Sequence, residues 1–285
     1  MLMETFTRAW LIANEASGSN SPSALDDLRS CFAEHAITVD RTICFPDEDL
    51  PAPEDLVGAD IGLLVVYTGD GTINAALSGL AGWPGAVLVL PGGTMNLLSQ
   101  RLHGAYGYRE IIGLVASRGA RRCRVTVLQC EAGCAYADCL IGPGTQWADV
   151  REAMREFNVV DMASSAAEAF SQSTGGVTVW VDQPELGRRQ GYPLIEITPG
   201  EHGLRLNAYH AQSLGEMAQQ GWALLRRRFR EGPHERLGIV DEVTVASSNG
   251  APLDVLLDGE PATLDQRASF TLATSECDLL ATHHG

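Results

Sequence analysis

The sequence predicts an α/β domain built on a parallel sheet, followed by a second, mainly antiparallel β domain. Three observations carry this. Up to about residue 120, short Val, Leu and Ile runs alternate with stretches of helical spacing, the pattern of βαβ units. Beyond that point the apolar segments become short and β-leaning, and turn residues separate most of them. Within the first part, two glycine-rich turns, Thr68-Gly69-Asp70-Gly71-Thr72 and Pro91-Gly92-Gly93-Thr94-Met95-Asn96, each follow an apolar run and precede a helix-like stretch.

Taken in order, residues 8–13 read as a buried strand, followed by a loop of Ser, Gly and Asn. Ser23 is expected to cap a helix running through Leu25, Leu28 and Phe32. Residues 37–44 alternate as a second strand, residues 47–53 form an acidic, proline-rich loop, and residues 61–66 make a third strand. A helix containing Ala75, Ala76, Leu77 and Leu80 starts at Thr72 or Asn74. Residues 86–90 are a fourth strand and 94–103 a further helix. The second part reads as strands at 121–130, 134–141, 176–181, 193–198, 204–208, 242–246, 252–257 and 269–273, interrupted by helices near 147–157 and 213–230.

A strand, a glycine turn and a helix N-terminus together form an anion site, because unpaired N–H groups and the helix dipole point the same way. Two such turns at neighbouring strand ends suggest a nucleotide phosphate chain. Asp70 inside the first suggests a divalent metal on that chain. The plain alternative is a tight turn in which Asp70 caps a helix. For 91–96 it is an ordinary strand-to-helix turn.

Composition narrows the field. The chain has 285 residues, 45% hydrophobic and 20% charged, as an ordinary globule does. Its apolar runs are too short to span a bilayer, and Glu4 with no basic head argues against a secretory signal. Seven cysteines, an odd number, suit reduced thiols in the cytoplasm. The formal charge of −16 opposes nucleic acid. All 20 basic residues are arginine, and the absence of lysine excludes a Walker A loop, a protein kinase and a pyridoxal enzyme. Arg226, Arg227, Arg228 and Arg230 around Phe229 read either as a solvated helix end or as a membrane-docking patch.

With Asp258-Gly259-Glu260 near the C-terminus and Asn14-Glu15-Ala16-Ser17-Gly18 near the N-terminus, the two turns resemble the diacylglycerol kinase catalytic family, which includes sphingosine and ceramide kinases. That resemblance implies a three-layer α/β nucleotide-binding domain, residues 1–120 with 271–285, and a β-sandwich lipid-substrate domain, residues 121–270. It implies ATP- and Mg²⁺-dependent phosphorylation of a lipid hydroxyl in a cleft between them. By matching position, Thr68, Gly69, Asp70, Gly71, Thr72 and Asn74 would line the phosphates, with Asp70 near the metal. Gly93, Thr94 and Asn96 would form the second turn, and Asn14, Ser17 and Gly18 would lie near the nucleotide. Glu260, or Asp258, would take the proton from the acceptor hydroxyl. Diacylglycerol is the first acceptor; ceramide, a sphingoid base, NAD or a soluble polyol are the others, and a catalytically silent nucleotide binder is the rival outside enzymes. Peripheral contact with the membrane and a homodimer through the β domain are further expectations.

Departures from the family pattern are Glu15 for the usual proline, Thr68 for the first glycine, and Leu97 where aspartate is common. The segment Glu201-His202-Gly203-Leu204-Arg205 puts arginine where an acid helps hold a structural Mg²⁺, so none is expected there. Asp258-Gly259 by itself is also a common hairpin turn. Cys130, Cys134 and Cys139 have no partnering metal-ligand pair and are expected in buried strands.

Overall fold

The computed structural model describes residues 6–14, 21–93, 96–143, 178–209 and 234–283. The helices expected near 147–157 and 213–230, the arginine run at 226–230, and Ser17, Gly18 and Thr94 lie outside the described residues. The chain divides into two compact units, Met1–Val125 with Thr274–Gly285, and Thr126–Ala273.

The first unit is an α/β layer structure. Its strands are β1 (Arg8–Ala13), β2 (Thr38–Cys44), β3 (Leu63–Thr68), β4 (Ala86–Pro91) and β5 (Arg121–Cys123). Its helices are α1 (Pro22–Glu34), α2 (Pro53–Gly58), α3 (Asp70–Ser78), α4 (Leu97–His103) and α5 (Tyr108–Ala116). The sheet order begins β2-β1-β3-β4, all parallel. A C-terminal strand, Asp278–Ala281, then returns to pair parallel with β4 and antiparallel with β5.

Strand side chains alternate between faces. One set, including Leu11, Val65, Tyr67, Leu88 and Leu90, packs with Leu25, Leu28 and Phe32 of α1 and Ile111, Ile112 and Val115 of α5. The other set, including Ile12, Leu64, Val66, Val87 and Val89, is equally buried. It lies on the side of α3 and α4, which contact β3 and β4 but add nothing to the first cluster. Burial on both faces is why these strands read as continuous apolar runs.

Several boundaries differ from the sequence expectation. The N-cap of α1 is Ser21, whose hydroxyl accepts from the Ala24 N–H at 3.2 Å with Pro22 at the first helical position. Ser23 only shares a 2.9 Å hydrogen bond with the Ser21 hydroxyl. Helix α3 starts at Asp70, earlier than Thr72 or Asn74, because Gly69 takes the extended N-cap conformation. Helices α2 and α5 go beyond the sequence expectation. Each begins with an acid three residues past the N-cap, Asp55 accepting from Ala52 N–H at 2.9 Å and Glu110 from Gly107 N–H at 3.0 Å.

The stretch 121–130 is two strands, β5 in the first unit's sheet and β6 (Thr126–Cys130) in the second unit. The second unit continues with β7 (Gly133–Ala135), β8 (Cys139–Pro143), β9 (Val179–Gln183), β10 (Leu194–Gly200), β11 (Gly203–Tyr209), β12 (His234–Val240), β13 (Glu242–Ser247), β14 (Leu253–Leu257), β15 (Glu260–Leu264) and β16 (Arg267–Thr274). The C-terminal strand Asp278–Ala281 is β17. Among the described residues, two sheets of order β12-β11-β10-β8-β14-β15 and β7-β6-β16-β13-β9 form a β-sandwich. Between them lies a core including Ile141, Ile195, Ile197, Leu204, Leu206 and Val255 from one sheet and Leu128, Val181, Val243, Val245 and Phe270 from the other.

Cys130 and Cys139 are in that core, while Cys134 is half-buried. Burial pushes the Cys139 thiol well up and the Cys130 thiol up, which suits packing rather than metal ligation. In the first unit, the chain after β17 docks on α4: the Thr282 and His283 N–H groups donate to the Leu102 carbonyl at 3.1 and 3.0 Å. The Thr282 hydroxyl lies 3.0 Å from Nδ1 of the fully buried His103. Burial pushes that imidazole down to about 4.

Candidate functional site

In the first unit's sheet the chain leaves β1 for β2 on one side and reaches β3 and β4 on the other. The carboxyl ends of β1 and β3 therefore flank a topological switch point, where ligands of open α/β sheets bind. Asn14 follows β1, and its Nδ2 donates to Thr72 Oγ1 of α3 at 3.1 Å, spanning that point. The structure thus brings the loop after β1 against the first glycine turn, as the motifs imply.

The two glycine turns are stacked backbone on backbone. A Cβ on Gly93 would stand 2.6 Å from Gly69 Cα, and one on Gly92 would stand 2.5 Å from the Tyr67 carbonyl carbon and 2.6 Å from Thr68 N. No side chain fits at either place, so the glycines are dictated by the approach of the β4 turn to the end of β3. Thr68 is fully buried beneath them, its hydroxyl donating to the Gly69 carbonyl at 3.2 Å.

Asp70 ties the turns together. Its Oδ2 accepts the Leu97 N–H at 3.2 Å and its Oδ1 the Leu98 N–H at 3.3 Å. The carboxylate therefore caps α4 while sitting in the first turn of α3, a position that the opposite charge of both helix ends favours. Such a cap contributes about 1 kcal/mol or more. The capping alternative is realised, but on the neighbouring helix.

Asn96 closes the second turn. Its Oδ1 accepts the Gly93 N–H at 2.7 Å and its Nδ2 donates to the Gly93 carbonyl at 2.9 Å. Its φ is +52°, a left-handed conformation that asparagine tolerates better than other side chains. In the described structure Asn96 shapes the turn. Asn74 accepts from the Ser78 hydroxyl at 3.2 Å one helical turn on. Leu97, where aspartate is common in the family, enters the Asp70 bond through its backbone, so its side-chain identity does not alter that contact.

These residues fit a nucleotide phosphate chain in one respect and a divalent ion in another. Glycines 69, 71 and 93 and the α3 N-terminus leave the backbone bare beside partly exposed Asp70 and Thr72. Among the described residues no group of three His, Cys, Asp or Glu could cage a metal. A single carboxylate suits Mg²⁺, which keeps waters and phosphate oxygens as its other ligands.

In the second unit, Asp258 and Gly259 form the two-residue loop between β14 and β15, with φ of +51° and +87°, the values of a type I′ hairpin turn. Asp258 is 6% exposed. Its carboxylate accepts three backbone N–H groups, from Tyr136 at 2.8 Å, Ala137 at 2.8 Å and Asp138 at 3.1 Å. Its own N–H donates to the Asp138 carbonyl at 3.0 Å. This capture explains why 134–141, expected as one strand, is β7 and β8 with a loop between. Glu260 starts β15 and is exposed. Of the two acids, Asp258 is committed to the loop and Glu260 faces solvent.

The family resemblance drawn from these motifs holds. Residues 8–128 match the family model described as "Diacylglycerol kinase catalytic domain", the catalytic domain of a kinase family. Among solved structures, "a putative diacylglycerol kinase from Bacillus anthracis str. Sterne" superposes with a TM-score of 0.62 at 15% identity, covering 98% of this chain and 96% of that one. A second structure, described as a diacylglycerol kinase from the same organism, gives a TM-score of 0.57 at 14% identity, covering 98% of each chain. At such identities the likeness is one of fold. No curated protein matches the sequence.

Proposed function

We propose that this chain phosphorylates the hydroxyl of diacylglycerol or a similar lipid at a membrane surface. The observation that supports it most is the pair of stacked turns at the switch point, locked by Asp70, within a stretch that matches a kinase catalytic domain. When bound, ATP supplies the phosphoryl group and Mg²⁺ offsets the charge on its oxygens.

The chain's own residues do the rest in this reading. Gly69, Gly71 and Gly93 would let the backbone approach the phosphates, and the first N–H groups of α3 would be the donors to them. Thr72, held by Asn14, adds a hydroxyl at the same edge. Asp70, which fixes the start of α4, would be the residue to hold the metal. Glu260 takes the proton from the attacking hydroxyl, and Asp258 holds the hairpin that carries it. With no lysine in the chain, arginine or the metal offsets the charge of the transferring group. The cytoplasmic setting, peripheral membrane contact and pairing as a homodimer belong to the same proposal. Among the described residues no helix is long and apolar enough to cross a membrane.

The test is transfer of labelled γ-phosphate from ATP to diacylglycerol, monoacylglycerol, ceramide and sphingosine in mixed micelles, with NAD as soluble control and Glu260→Gln as blank. Label in one lipid, lost in the blank, is the expected result. No label in any acceptor, with ATP binding intact by calorimetry, overturns it and favours a silent nucleotide binder.

A further inference from the structure

Helix α4 carries the second glycine turn at its start, yet it has only seven residues, Leu97–His103. A helix that short does not hold itself in water, and its first amides and last carbonyls need partners from outside. At its start the partner is Asp70, which accepts the Leu97 and Leu98 N–H groups. In its middle the Ser99 hydroxyl donates to the Val89 carbonyl of β4 at 3.4 Å. At its end the Gly104 N–H closes on the Gln100 carbonyl at 2.8 Å, and the tail after β17 supplies the rest. There the Thr282 and His283 N–H groups converge on the Leu102 carbonyl at 3.1 and 3.0 Å. The Thr282 hydroxyl shares a 3.0 Å hydrogen bond with His103 Nδ1, 179 positions away along the chain.

Packing alone does not require this arrangement. His103 is fully buried and Thr282 is 8% exposed. His103 Nε2 is buried with no hydrogen-bond partner among the described residues. A buried group left in that state costs about 1–3 kcal/mol, and a leucine would fill the space without that cost. What an apolar contact does not supply is direction, since a hydrogen bond fixes both the distance and the angle between two groups. The residues that depend on the placement of α4 are at its other end. Asn96 closes its turn with bonds of 2.7 and 2.9 Å to Gly93, which itself lies against Gly69. A slide of α4 along its axis breaks these bonds and the two to Asp70 together.

We propose that Thr282 is a positioning residue for the second glycine turn: its hydroxyl on His103, with the two tail amides on Leu102, holds α4 where Asn96 closes that turn and Leu97 and Leu98 meet Asp70. Thr282 acts through the helix, from the end roughly 10 Å away. The inference deepens the kinase reading by naming what orders that site. It rests on that reading only for the measurement with ATP.

The experiment follows amide hydrogen exchange in the full chain without nucleotide. Thr282→Val keeps the volume and removes the hydroxyl. It should speed exchange of the Leu97 and Leu98 amides roughly three- to tenfold, the worth of one buried hydrogen bond, and leave the amides of β1 and β3 unchanged. Thr282→Ser, which keeps the hydroxyl, should restore the wild-type rates. A folded Thr282→Val with unchanged exchange at 97 and 98 overturns the proposal. If that variant does not fold, the wild type in low urea decides. The amides of Leu97, Leu98, Thr282 and His283 should then share one opening energy and one urea slope, and separate slopes overturn it. In phosphate transfer, Thr282→Val should raise KM for ATP by a similar factor with KM for the lipid unchanged. A merely structural role would lower the active fraction and leave KM for ATP alone, which also overturns the proposal. Absence of transfer by the wild type would sink the kinase reading while the exchange rates still decide this one.

Discussion

Asp70 and Asp258 sit beside glycines in the two units, and both use a carboxylate to gather backbone N–H groups from a distant segment. They differ in how far the carboxylate is exposed. Asp70 accepts two amides at 3.2 and 3.3 Å and stays partly exposed beside a bare backbone turn. Asp258 accepts three at 2.8 to 3.1 Å and is nearly sealed. The same chemistry therefore yields one acid that solvent reaches and one that is sealed into its hairpin. A carboxylate near glycine is thus a site candidate only where the fold leaves it exposed.

Variants at these residues can break or sharpen that contrast. The largest effect is expected at Glu260, the acid beside the sealed one: Glu260→Gln should lower kcat about 10²–10⁴-fold with an unchanged urea midpoint, because a positioned base contributes that much and the side chain is exposed. An unchanged kcat would remove Glu260 from the chemistry. Asp70→Asn should lower kcat by about 10²-fold and weaken the Mg²⁺ dependence, since the amide keeps one acceptor for α4 but loses the charge. Near-normal turnover with normal Mg²⁺ titration would leave Asp70 as a cap alone.

The next effect lies at the other end of α4. The folded His103 imidazole is held down to about 4 by burial, so the unfolded chain binds a proton that the folded one does not. Stability is full above about pH 6.5 and falls as pH drops toward 4, by up to roughly 3 kcal/mol. Urea unfolding at pH 7, 6, 5 and 4.5 should show this slope, flattened in His103→Gln. Asp258→Asn should cost about 2–3 kcal/mol by the same measurement, because asparagine keeps the left-handed turn but turns an NH₂ toward amide donors. A neutral substitution there would sink the anchor role. Gly93→Ala is the mildest, about 1–3 kcal/mol from overpacking against Gly69, with kcat falling as the two turns separate.

Much of the first unit was legible in the chain. The βαβ rhythm, the two glycine turns and the change of character near residue 120 follow from local rules, since strand burial, helix spacing and turn chemistry are written in neighbouring residues. The glycines at 92 and 93 were legible as a turn; that each is forced by the backbone of β3 was not. Helix α2 hides behind an acidic, proline-rich loop, although Pro53 with Asp55 is a start signal. Strand 121–130 read as one run because both halves favour β structure, and only pairing partners far along the chain assign β5 to one sheet and β6 to the other.

What the sequence determined by itself is the class of each unit and the residue types gathered at the turns, because periodicity and turn propensity act over a few residues. What only the tertiary structure decided is the use to which those residues are put. Asp70 bonds residues 27 and 28 positions away, Asp258 bonds a loop about 120 positions away, and Glu196, Asn207 and Tyr209 meet across a hairpin on a face opposite the sandwich core. Hydrogen bonds of this kind depend on which strands become neighbours, and that is set by the packing of whole sheets rather than by any short stretch of sequence.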